Sequence, residues 1–93
     1  MSKKSDFKCF IAYNKDKIID YLDNYAKECD IEMGSHYENA IGLLEAFQHD
    51  TDFIFQVFLD MANEFGSDFL NDDYYDEIFF EECYDEIQDI LNK

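Results

Sequence analysis

Residues 52–65 read Asp-Phe-Ile-Phe-Gln-Val-Phe-Leu-Asp-Met-Ala-Asn-Glu-Phe, and they decide what kind of fold this chain builds. Phe53, Ile54, Phe55, Val57, Phe58, Leu59, Met61, Ala62 and Phe65 are apolar, which leaves a polar stripe of Asp52, Gln56, Asp60 and Glu64. Polar residues four apart follow one side of a helix, so this helix is apolar on most of its circumference. Such a helix has to be surrounded, and the rest of the chain is expected to pack around it. Asp50 or Thr51 suits its start, and Gly66 its stop.

Moving toward the N-terminus, Ser35 and Glu38 form the S-x-x-E capping-box pattern and open a second helix. Its apolar face is Tyr37, Ala40, Ile41, Leu44 and Phe47. Before it, Ile18, Tyr21, Leu22, Tyr25, Ala26 and Cys29 recur at i, i+3, i+4, i+7, i+8 and i+11, the stripe of an amphipathic helix. Asn14 or Asp16 begins that helix, and Gly34 suits its C-terminal stop. Residues 7–13 read either as a short N-terminal strand or as an upstream extension of the helix capped by Ser5. Toward the C-terminus, Ser67 suits a short turn through Phe69 and Leu70. Asn71 or Asp72 then starts a last helix running to about Leu91. No Pro-, Gly- or Ser-rich linker interrupts the chain. The expected fold is therefore mainly α: a compact, bundle-like single domain of four to five helices spanning residues 1–93.

The composition sets this fold apart from an ordinary helical domain. Apolar residues make up 47%, including ten Phe and seven Tyr, so core material is plentiful and disorder is not expected. Yet the net charge is −16, from 23 Asp and Glu against seven Lys and no Arg. Six of the lysines fall between Lys3 and Lys27, and the seventh is Lys93. Across residues 28–92 there are 19 acids and no Lys or Arg. No apolar run approaches the roughly 20 residues of a membrane span, and the first residues lack the pattern of a secretory signal. A cytoplasmic protein is expected. Three scattered cysteines argue against a disulfide framework, and Cys9, Cys29 and Cys83 are each expected as small buried hydrophobes.

The last helix concentrates the charge. Asp73, Glu77, Glu81, Asp85 and Asp89 recur every four residues, with Asp76, Glu82 and Glu86 flanking them. Eight carboxylates over 18 residues, at about 1.5 Å rise each, give one charge per roughly 3.4 Å. A strand of B-DNA presents one phosphate per about 3.4 Å. Five like-charge i,i+4 pairs cost roughly 1–2.5 kcal/mol in all, with no lysine inside the helix to relieve them. Solubility alone calls for mixed signs, whereas a one-sign surface serves to steer toward or occupy an oppositely charged partner. Tyr74, Tyr75, Phe80 and Tyr84 interleave with the acids and divide between core and interface in a way spacing alone does not reveal.

Catalytic chemistry has no visible carrier. There is no Gly-rich phosphate loop, nucleophile elbow or H-E-x-x-H motif. His36 and His49 have no cysteine at zinc-ligand spacing and read as ordinary surface or cap-adjacent histidines. Asp50-Thr51-Asp52 begins like a calcium loop and fails at Ile54 and Phe55. No metal, no cofactor and no enzymatic activity are expected, and the charge sign disfavours direct nucleic-acid binding.

In size, charge and acid–aromatic helical character the whole chain resembles the small acidic DNA-mimic inhibitors of phages, of the anti-restriction and anti-CRISPR kinds. No alignable motif accompanies the resemblance. It implies a partner that is a basic nucleic-acid-binding protein such as a nuclease. The expected contact residues, read from the ladder, are Asp72, Asp73, Asp76, Glu77, Glu81, Glu82, Asp85, Glu86 and Asp89. Asp60 and Glu64 join them if the polar stripe of residues 52–65 shares that face. An acidic immunity protein or antitoxin against a specific toxin is the alternative, and a subunit pairing through its aromatic surface a third reading. The Phe content suits an apolar homodimer interface as well as a filled monomer core.

Overall fold

The computed structural model describes residues 3–66 and 75–92, and of Lys3 and Glu77 only the backbone. These residues form five helices: α1 (Lys3–Tyr13), α2 (Lys15–Glu28), α3 (His36–Ala46), α4 (Thr51–Glu64) and α5 (Glu77–Leu91). No strand occurs among them, so residues 7–13 are helical. The radius of gyration is 12.3 Å, close to the roughly 12 Å expected of a folded chain of this length.

The expectation for residues 52–65 holds closely. Ile54, Phe55, Val57, Phe58, Met61 and Ala62 are buried, while Asp52, Gln56, Asp60 and Glu64 form the exposed stripe. One flank of α4 meets α2 through Tyr25 on Phe53 and Tyr21 on Phe65, with ring centroids 5.7 and 6.3 Å apart. Its other flank meets α5, where Phe80 lies 5.4 Å from Phe55 and 5.2 Å from Phe58. Phe80 also touches Phe7 of α1 at 6.1 Å, so one ring ties three helices together. Tilted and edge-on pairs of this kind add attraction between ring edge and ring face to the gain from burial. A single cluster of buried side chains draws on all five helices.

Helix ends are where sequence and structure part. Asn14 separates α1 from α2, and its side-chain amide donates to the Phe10 carbonyl at 3.0 Å. The stop of α2 is Asp30 rather than Gly34. Asp30 takes φ +61°, its N–H reaches the Lys27 carbonyl (3.1 Å), and the Ile31 N–H reaches that of Ala26 (2.8 Å). This is a Schellman motif with a left-handed aspartate where glycine is usual. Gly34, at φ +135°, instead precedes the cap of α3. There the capping box is present in both directions, with the Ser35 Oγ accepting from the Glu38 N–H at 3.1 Å. Gly42 of α3 lies close under the intervening loop: a Cβ at that position would meet Met33 Sδ at 2.5 Å, so the methionine side chain would have to shift.

The last described helix, α5, begins at Glu77, and the expected starts Asn71 and Asp72 lie outside the described residues. Asp76 is its N-cap, in extended backbone, with its Oδ1 accepting the Phe79 N–H at 2.8 Å. A carboxylate that caps a helix satisfies an otherwise orphaned donor and lies at the positive end of the helix dipole. The cysteine expectation holds only for Cys83, because Cys9 and Cys29 are exposed.

Candidate functional site

The core-facing side of α5 consists of Phe80, Cys83, Tyr84, Ile87 and Leu91, all buried. Tyr84 also donates its hydroxyl to the Leu44 carbonyl of α3, and burial pushes its phenol pKa far up. Tyr75 is buried against Phe7 and Phe79, so every described aromatic singled out among the acids belongs to the core. With that side fixed inward, the helix period turns Ile78, Glu81, Glu82, Asp85 and Asp89 outward, and all five are exposed.

The structure departs from the expected ladder at Asp76 and at Glu86. Asp72 and Asp73 lie outside the described residues. Asp76 is a cap, not a rung. Glu77 belongs to α5 by its backbone. Glu86 is engaged internally: Lys4 Nζ lies 3.2 Å from its Oε1 and Lys8 Nζ 3.5 Å from its Oε2. The Glu86 Oε2 is shielded from solvent and has that ammonium in place of a hydrogen bond. The same pairing raises the Lys4 pKa, through the hydrogen bond to Glu86 and then its charge. N-terminal lysines thus neutralise one edge of the acidic helix.

The rungs that remain do not form a straight row. Each i,i+4 step advances about 40° around a helix, so Glu81, Asp85 and Asp89 drift by about 80° in all. Leaving out Glu86, five carboxylates over the 15 residues of α5 give one per roughly 4.5 Å, sparser than a phosphate strand. Additional charge comes from the turn between α3 and α4, which lies outside the expected ladder. Glu81 shares a recess of about 310 Å³ with Gln48, His49, Asp50, Thr51 and Asp52, at the turn between α3 and α4. Asp50 and Asp52 therefore extend the acidic surface across two helices. Asp60 and Glu64 lie elsewhere on α4: both raise the Tyr21 pKa by their charge, after burial, and Glu64 lines a shallow groove with Tyr21, Asn24, Tyr25 and Glu28 of α2. Among the described residues no ion pair involves Glu81, Glu82, Asp85 or Asp89.

A second acidic group is arranged in the opposite way. Asp23 of α2 is buried, and its Oδ1 accepts from the Asn39 Nδ2 of α3 at 2.7 Å. Its Oδ2 faces Lys27 Nζ at 3.2 Å and His36 Nδ1 at 3.3 Å, and Asp20 approaches the same imidazole nitrogen at 3.5 Å. The Asn39 Oδ1 in turn accepts the Met33 N–H at 2.5 Å. The hydrogen bond from Asn39 holds the Asp23 carboxyl below its ordinary pKa, against the opposing effect of burial. His36 sits at the first position of α3, beside its cap as read from sequence. Asn39 falls on the side of the helix that buries Leu43, and that position is the sequence signal for this network.

No described group of three or more His, Cys, Asp or Glu is arranged to hold a metal ion. No helix among the described residues is long and apolar enough to cross a membrane. The protein is a mainly-α domain, with five helices among the described residues and an acidic face on α5. No family model matches the chain, and no curated protein or solved structure matches it.

Proposed function

We propose that this protein is a DNA-mimic inhibitor that occupies the basic nucleic-acid-binding surface of a nuclease or other DNA-binding protein. The observation that carries this reading is the exposed, unpaired set Glu81, Glu82, Asp85 and Asp89 on α5, extended by Asp50 and Asp52. A cleft lined with Lys and Arg gains from ordered carboxylates much as it gains from phosphates, by releasing counterions and satisfying its own charge. A packed helix presents those carboxylates without the ordering cost of a flexible acidic tail. The resemblance in size, charge and acid–aromatic character to the acidic DNA-mimic inhibitors of phages implies the same mode of action. An acidic immunity protein is the second reading, favoured by the exposed Ile78, since an apolar contact is more useful against one particular protein than against a general phosphate site.

The test is competition. The immobilised protein captures its target from extract of the cell that expresses it, and duplex DNA is then added across a salt series. A mimic is displaced by DNA, and its capture weakens steeply with salt. Capture that persists at saturating DNA assigns the immunity-type reading and overturns the mimic.

A further inference from the structure

The largest exposed apolar side chain on α5 is Ile78, 69% accessible, and its position carries more information than its exposure. Single exposed apolar residues are common on protein surfaces and need no explanation of their own. Here, however, the neighbours at i+3, i+4, i+7 and i+11 are Glu81, Glu82, Asp85 and Asp89, all exposed carboxylates. The helix contains no Lys or Arg whose aliphatic stem would cover the isoleucine. The acidic face therefore has an apolar centre near one end. A sugar-phosphate backbone has no counterpart to that feature.

We propose that Ile78 is the anchor of this face, and that the partner presents an apolar pocket bordered by Lys and Arg rather than a bare cationic groove. The inference rests on the acidic contact face of α5 that both readings of the proposed function share, and it names the kind of surface that is occupied. Charge complementarity selects the basic border, because the free acids around Ile78 repel any other. A dehydrated apolar contact ringed by polar groups is also the usual anatomy of an energetic centre in a protein interface. A second copy of this chain is a poor occupant, since two faces of the same sign would have to meet.

Two synthetic helical peptides of equal positive charge test this without knowledge of the natural target. One carries leucines along a single face between its lysines, and the other has alanine in their place. Fluorescence anisotropy at moderate salt reads the affinity of the full-length protein for each. The leucine peptide is expected to bind more tightly, and Ile78→Asp to reduce its affinity roughly tenfold to a hundredfold, as burial of one isoleucine implies. Affinity for the alanine peptide should stay unchanged or rise. A face that acts by charge alone predicts the opposite sign, because the variant adds a carboxylate and should strengthen both complexes; that result overturns the anchor. Glu81→Lys with Asp85→Lys separates the two levels. If this double variant loses both peptides while Ile78→Asp loses neither, the anchor falls and the acidic contact face stands. If it loses neither, the contact face itself is wrong. Ile78 is exposed, so an unchanged thermal melt is expected and excludes misfolding as the cause.

Discussion

Asp23 and Asp85 are the same residue type on exposed-looking stretches of two amphipathic helices, and the molecule uses them in opposite ways. Around Asp23 every donor within reach is engaged: the Asn39 amide, the Lys27 ammonium and the His36 ring converge on one buried carboxylate and join α2 to α3. Around Asp85 nothing converges, and its neighbours at i±4 are Glu81 and Asp89. A carboxylate surrounded by donors holds the fold together. A carboxylate surrounded by like charge weakens the fold slightly and remains available to something outside it. The distinction is one of supply: the lysines all belong to the α1–α2 region and the C-terminus, so only acids near that region are paired.

If the comparison is right, damage to the two regions should appear in different measurements. The largest effect is expected on binding. Glu81→Lys, Asp85→Lys and Asp89→Lys together should weaken capture of the target by orders of magnitude and flatten its dependence on salt, with thermal stability preserved. A folded triple variant with wild-type capture would remove α5 from the contact surface. On the other side, Asn39→Ala should cost about 1–3 kcal/mol in denaturant unfolding, because it strips a donor from a buried carboxylate and an acceptor from the Met33 N–H. Capture by the folded variant should be unaffected; an equal loss in both measurements would mean that the two regions are not independent.

Acid sharpens the same contrast. The Asp23 pKa in the folded protein lies below its ordinary value of 3.8, chiefly through the Asn39 hydrogen bond. Its contribution to stability is therefore complete above the unfolded-state pKa and is lost as pH falls through the lower folded value. In Asp23→Asn the melting temperature should decline less steeply below pH 4 than in the wild type; an identical acid limb would show that the buried carboxylate is not what titrates. The smallest effect is expected from Asp85→Asn. Removing two like-charge pairs should raise stability by about half a kcal/mol at low ionic strength, and by less in high salt. A loss of stability would reveal an internal partner for Asp85.

Much of the fold was legible because hydrophobic periodicity is a local property. The polar stripe of α4, the Ser35–Glu38 box and the apolar stripe of α2 depend on residues within two turns of each other. The helix stops were less legible: Asp30 adopts a left-handed conformation that sequence readily assigns to a glycine, and Asp76 serves as a cap in a run of acids where any of several suits the role. The candidate site was legible in composition and only partly in geometry. An unbroken cation-free stretch announced the acidic surface, and the period of Phe80, Tyr84, Ile87 and Leu91 phases the helix so that Ile78 points outward.

Amino-acid order by itself determined that this chain is helical, rich in core material and strongly acidic over two thirds of its length. These follow from side-chain chemistry and from spacings of three and four residues. Only the tertiary structure decided which acids are free. Lys4 and Lys8 lie some eighty positions from Glu86, and Asp50 lies thirty-one from Glu81, so their pairing and grouping come from helix packing. The physical reason is that charge acts through space, and sequence specifies distance only along the chain.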